Sequence, residues 1–166
     1  MKNLLSKGLV MAAGLAGIPA LVAQADPQPA EKAQIRSQED PRIQSLRRFF
    51  QKHQSPAGTL SDVFVQEADN NNLDWRLMPG LALIETGGGK HCRHHNLFGW
   101  SNGHASFGSF SESIRQVAYQ LSNSHYYRNK NLEGVLRLYN RNPGYTRLVK
   151  AVMRGISPTV EIALAE

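Results

Sequence analysis

The sequence predicts a mainly α domain of α+β class, helical with one small β-hairpin. Three observations carry that expectation. Apolar residues recur at helical spacing in six successive segments. One stretch, residues 96–110, interrupts them with aromatics set among Gly and Ser. No strand-like runs alternate with the helices, which excludes a βαβ protein.

Each element follows in order. Pro41 suits a first helical turn, where its missing N–H is tolerated. Ile43, Leu46, Phe49 and Phe50 then share one face, with Arg47, Arg48 and Lys52 away from it. Ser55-Pro56-Ala57-Gly58 breaks the chain. Leu60, Val63, Phe64 and Ala68 repeat at helical spacing, and Thr59 with Asp62 predicts a capping box. Asn70-Asn71-Asn72 ends that helix. A third covers about 75–86, with Leu77, Met78, Leu81 and Ile84 as core residues and Pro79 near its first turn. Gly87-Gly88-Gly89 stops it. Residues 96–110 carry an Asn102-Gly103 turn signal and read as a hairpin or extended flap. Ser111 opens a fourth helix, with Ile114, Val117, Ala118 and Leu121 on one face. A fifth spans about 131–139, with Leu132, Val135, Leu136 and Leu138. A sixth runs from about Tyr145 to Gly155, with Leu148, Val152 and Met153 inward.

The chain has 166 residues, 41% hydrophobic and 19% charged, enough for one domain and too few for two ordinary ones. Its single cysteine excludes an internal disulfide. Lys2 and Lys7 precede an uncharged run from Gly8 to Ala23, and Ala23-Gln24-Ala25 is an A-x-A site. Residues 1–25 therefore read as a secretory signal peptide, and the run is too short for a spanning helix. After its removal no stable membrane insertion is expected, and export to the periplasm or cell envelope of a bacterium follows. Residues 26–40 read as a flexible polar arm, 41–156 as the folded domain and 157–166 as a tail. The net charge of +6 loses two lysines with the signal. No block of cations interleaved with aromatics occurs, so nucleic acid is not expected as a partner.

Glu85 is the most informative residue. It ends the apolar run Leu81-Ala82-Leu83-Ile84 and precedes three glycines. A carboxyl with an apolar wall behind it and pliant backbone in front suits a general acid. Eleven residues on stands Asn96-Leu97-Phe98-Gly99-Trp100, where ring faces and an amide suit a sugar. Tyr139 and Tyr145 bracket a polar turn and could donate to a glycosidic or acetamido oxygen. On local pattern alone a solvated helix-end role for Glu85 and ordinary turn roles for the tyrosines outweigh a site, and Phe98 reads as core. His91-Cys92-Arg93-His94-His95 lacks a second ligand pair at zinc spacing, so no metal and no cofactor is expected.

Together these residues resemble the exported peptidoglycan glucosaminidases, the endo-β-N-acetylglucosaminidase-like branch of the lysozyme-like superfamily. The similarity spans roughly 57–154, as a domain-sized match. It rests on Leu81–Gly87 for a helix ending in E-S-G, and on His95–Trp100 for N-N-L-F-G-I. Phe110–Ile114 matches the step into the next helix, and Tyr139 with Asn142–Tyr145 matches Y…D-P-x-Y. The resemblance implies a lysozyme-like fold with the hairpin beside a catalytic cleft. It implies Glu85 as catalytic acid, and a peptidoglycan glycan strand as the substrate partner. Asn96, Phe98, Trp100, Tyr139 and Tyr145 would line the substrate site. Thr86 stands for Ser and Asn142 for Asp, and no Asp or Glu lies between Glu85 and Glu112. Usual two-carboxylate hydrolysis therefore has no partner on the hairpin. Glu112 could serve only by folding back; at a helix start it suits a cap instead. A lytic transglycosylase and a non-catalytic cell-wall-binding module stand as alternatives.

Overall fold

The computed structural model describes residues 40–157. The expected signal peptide 1–25, the polar arm up to residue 39 and the tail beyond Ser157 lie outside the described residues. Six α-helices and one 3-10 turn account for most of what is described.

Helix α1 (Pro41–Lys52) starts where Asp40 accepts the N–H of Arg42 at 2.8 Å. The Arg42 guanidinium also reaches Asp69, at 2.7 and 2.8 Å, and so clamps α1 to α2 (Ser61–Asn70). Its hydrogen bonds hold the Asp40 and Asp69 carboxyls below their ordinary range. Between the two helices Pro56–Leu60 forms the 3-10 turn. The expected capping box does not form. The turn runs straight into α2, leaving no extended residue to cap it, and the Thr59 hydroxyl donates to the Pro56 carbonyl instead.

Helix α3 (Leu77–Thr86) is nearly all apolar, and Leu77, Met78, Leu81 and Ala82 are buried. Arg76 at its start binds Asp74 at 2.6 Å and the Ser157 carbonyl at 3.0 Å, tying the start of α3 to the last described residue. Helix α4 (Phe110–Asn123) begins one residue before the expected Ser111, because the Ser109 hydroxyl accepts the Glu112 N–H. Asn131 caps α5 (Leu132–Tyr139), and Asn142 caps α6 (Pro143–Ile156), with Pro143 in its first turn. These caps supply the side-chain oxygens that free helix N–H groups need.

Helix α3 packs mainly on α6, α2 on α4, and α5 on α6. Gly80 lies in the contact of the first pair; a Cβ there would lie 3.5 Å from Met153 and 3.9 Å from Val149. The core gathers Phe50, Phe64, Met78, Leu81, Phe98, Ile114, Leu136 and Val149, all at most 1% exposed. Two expected inward residues point out: Leu138 is 48% and Leu148 50% exposed. Both fall beside the apolar stripe of their helix, whose buried face in α6 runs through Tyr145, Val149, Met153 and Ile156.

The hairpin expected over 96–110 is absent: among the described residues no strand forms. His94, His95, Gly99, Ser101, Asn102 and Gly103 all take left-handed backbone. Such residues coil the chain and cannot build an extended ladder. Its bonds are accordingly local: Gly103 N–H to Gly99, His104 to Ser101 and Ala105 to Trp100. The result is a coiled loop from α3 to α4. No helix among the described residues is long and apolar enough to cross a membrane.

Candidate functional site

Glu85 sits in the last turn of α3, partly exposed, where the chain leaves the core. The glycines after it set the loop's path. Gly87 is left-handed (φ 64°) and caps the helix, and the Gly88 N–H reaches back to the Ala82 carbonyl at 2.8 Å. Gly88 lies against Ser55, whose hydroxyl donates to its carbonyl at 2.9 Å; a Cβ at Gly88 would meet that oxygen at 2.1 Å. Thr86 is buried beneath Glu85. Its hydroxyl lies 2.8 Å from the Leu97 carbonyl and accepts the Gly89 N–H at 3.1 Å. The first half of the loop, from Gly87 to Leu97, is thereby fastened to the helix end that carries the carboxylate.

Helix α6 supplies the second piece. The Asn140 side chain accepts the Asn142 N–H at 2.9 Å, and Asn142 accepts that of Gly144 at 2.8 Å. That turn starts α6 with Tyr145 in its first turn, facing α3. The Tyr145 hydroxyl donates to Glu85 Oε1 at 2.5 Å. Burial first, and this bond second, push the Tyr145 phenol well above its ordinary range. Burial and then the charge of Glu85 raise Tyr139 likewise, and burial raises Tyr127. These phenols remain donors at any working pH. With Oε1 taken, Oε2 remains; it lies on the Gly99 side, where a Cβ would come within 3.1 Å.

An open groove of about 610 Å³ runs past Glu85, walled by Gly99, Trp100, Asn102, Tyr127, Tyr139 and Asn140. The rings form a connected wall. Trp100 stands 6.2 Å from Tyr127 and 6.0 Å from Tyr139, which stacks on Tyr145 at 6.0 Å with planes 10° apart. Aromatic faces beside polar edges make a surface that sugar C–H faces can cover.

The expected site residues therefore divide. Glu85, Trp100 and Tyr139 meet at the groove. Asn96 does not line it: at 3% exposure its amide donates to the Trp100 and Ala105 carbonyls and accepts the Trp100 N–H at 2.8 Å. It shapes the loop: both amide protons are spent within it, and burial keeps its oxygen from a sugar. The Phe98 ring is core, 1% exposed; only its backbone borders the groove, and its carbonyl accepts the Tyr139 hydroxyl at 2.5 Å. Tyr145 is buried and holds Glu85. Neither expected tyrosine hydroxyl is thus spare to donate to a ligand oxygen. Tyr127, from the loop between α4 and α5, was not expected; Ser124-His125-Tyr126-Tyr127 carries no periodic signal to single it out.

Glu112 serves its cap, accepting the Gly108 N–H at 2.7 Å through Oε2. Among the described residues Glu85 is the one carboxylate lining this groove. No three His, Cys, Asp or Glu side chains among the described residues gather as a metal site. His95 Nδ1 shares a hydrogen bond with the Phe107 carbonyl, and Cys92 Sγ lies 3.4 Å from that of Gly89. Burial pushes the Cys92 thiol up, away from the reactive thiolate. No family model matches the chain, and no curated protein or solved structure matches it either.

Proposed function

We propose that the protein is an exported glycoside hydrolase acting on the β-1,4 glycan of peptidoglycan, with Glu85 as general acid and then base. The observation that carries this reading is one carboxylate held by a buried phenol at the floor of an aromatic-walled groove. Tyr145 fixes Oε1, so the proton delivered to the glycosidic oxygen rides on Oε2, the oxygen toward the groove. Trp100, Tyr127 and Tyr139 receive the sugar faces. As the bond from C1 to the leaving oxygen breaks, that oxygen takes the Glu85 proton.

A groove with one carboxylate supports a mechanism in which the substrate supplies the second group. The 2-acetamido oxygen can attack C1, after which Glu85 takes a proton from water and hydrolysis completes. The same observation favours a second reading, a lytic transglycosylase. There the 6-hydroxyl of the sugar attacks C1, gives its proton to Glu85 and closes a 1,6-anhydro ring. Product analysis separates the two, since hydrolysis leaves a reducing end.

Glu85→Gln keeps the side chain's shape and accepts from Tyr145 but cannot give a proton. We expect cleavage of cell walls to fall at least about a hundredfold, with folding and wall binding retained. Digestion near the parent rate overturns the assignment. A parent protein that binds walls of every type and cleaves none is a binding module.

A further inference from the structure

A second groove lies on the other side of the turn Asn140-Arg141-Asn142-Pro143-Gly144. It is about 480 Å³ and is walled by Arg137, Arg141, Arg147 and Lys150, with Glu133 as its one carboxylate. Its charge differs from that of the Glu85 groove, whose one charged wall residue is an acid. Glu133 is already engaged, with Arg137 at 2.7 Å and Lys150 at 3.0 Å, and those bonds hold its carboxyl below the ordinary range. Arg141 and Arg147 are exposed and have no carboxylate partner among the described residues. The wall therefore carries a net of three positive charges, two of them in guanidinium forks that suit bidentate oxyanions. Thr146 on the same wall is buried, and its hydroxyl has no hydrogen-bond partner.

The two grooves share a wall. Asn140 lines the first and Arg141 and Asn142 line the second, so neighbouring residues face different grooves. Hydrogen bonds within the turn hold that division in place. A polymer seated over Glu85 and continuing past Asn140 meets Arg141 next.

We propose that the Arg141–Arg147 groove binds carboxylates borne by the polymer seated at Glu85, the free acids of peptide substituents on its sugars. This rests on the glycan reading above and names the part of the substrate that the aromatic groove, whose one charge is an acid, does not receive. The aromatic wall takes sugar faces, and the cationic wall takes the acidic branches hanging from them. The pairing predicts a preference for peptide-bearing over bare glycan, and a marked salt dependence of binding.

The test uses the full-length exported protein, its Glu85→Gln variant, and the double variant Arg141→Glu/Arg147→Glu in each background. Co-sedimentation with purified peptidoglycan sacculi reads binding, and release of soluble fragments reads cleavage. Reversing both charges should weaken sedimentation about tenfold in either background and flatten its salt dependence. Binding to neutral N-acetylglucosamine oligomers should be unchanged, which also shows that the double variant is folded. Arg141→Lys/Arg147→Lys should recover most of the binding. Equal sedimentation of parent and charge-reversed protein overturns the proposal. So does equal loss on the neutral oligomers, or binding that depends on wall phosphate and disappears when phosphodiester polymers are stripped from the sacculi. Sedimentation that depends on Arg141 and Arg147 in a protein that never cleaves would sink the Glu85 reading and leave this site standing.

Discussion

Replacing Tyr145 with Phe removes one hydroxyl and leaves the ring stacked on Tyr139. The lost bond is the 2.5 Å contact to Glu85 Oε1, a phenol donating to a carboxylate. Hydrogen bonds to charged groups contribute about 1.5–3 kcal/mol. Glu85 is only partly buried, so water can replace the lost donor, and a stability loss of about 1 kcal/mol is expected. Catalysis should suffer more. The phenol fixes which carboxyl oxygen faces the groove, and a freed carboxyl spends less time in the delivering pose. Misplacement by about 1 Å can cost a hundredfold in rate, so kcat should fall about ten- to a hundredfold. KM should stay within about twofold, because Tyr145 is buried behind the groove wall rather than part of it. The assay is steady-state release of soluble fragments from sacculi, alongside thermal unfolding. A raised KM with unchanged kcat would place Tyr145 in contact with substrate. A lowered melting temperature with kinetics intact would make the bond structural, and either result refutes the positioning role.

Further expectations concern the frame around the groove. Thr86→Val keeps shape but strips the Gly89 N–H of its acceptor and the Leu97 carbonyl of a donor; denaturant titration should show a loss of about 1–3 kcal/mol, largely restored in Thr86→Ser. Gly88→Ala forces a Cβ to 2.1 Å from Ser55 Oγ at a left-handed φ of 66°, so it should destabilise by at least about 2 kcal/mol; an unchanged urea midpoint would contradict the packing described. Tyr139 and Tyr145 have phenols raised by burial, whereas unfolded tyrosines titrate near pH 10. Above that pH the unfolded chain releases protons that the folded chain keeps, so stability falls as pH rises, by up to about 1.4 kcal/mol per pH unit for each phenol. Urea unfolding followed from pH 9 upward, at about half-unit steps, should show that slope, and Tyr145→Phe should reduce it.

Helix positions were legible in the sequence because each depends on neighbours a turn away. The stripe Leu46, Phe49 and Phe50, the apolar run ending at Glu85, and the stop at Gly87 are all local patterns, and all three stand in the structure. So does the conversion of Glu112 to a cap, which follows from its place at a helix start. The groove wall was another matter. Asn96, Phe98 and Trp100 lie within five residues, yet the first two are buried and only Trp100 turns its side chain to the groove, because left-handed residues on either side coil the loop rather than letting it alternate. Tyr145 meets Glu85 across 60 residues only because α6 packs on α3. Tyr127 joins Trp100 from a loop with no periodicity at all. Local spacing determines which residues share a helix face. Which side chains meet is decided by the packing of distant helices, where burial and hydrogen-bond demand select among neighbours that look alike in sequence.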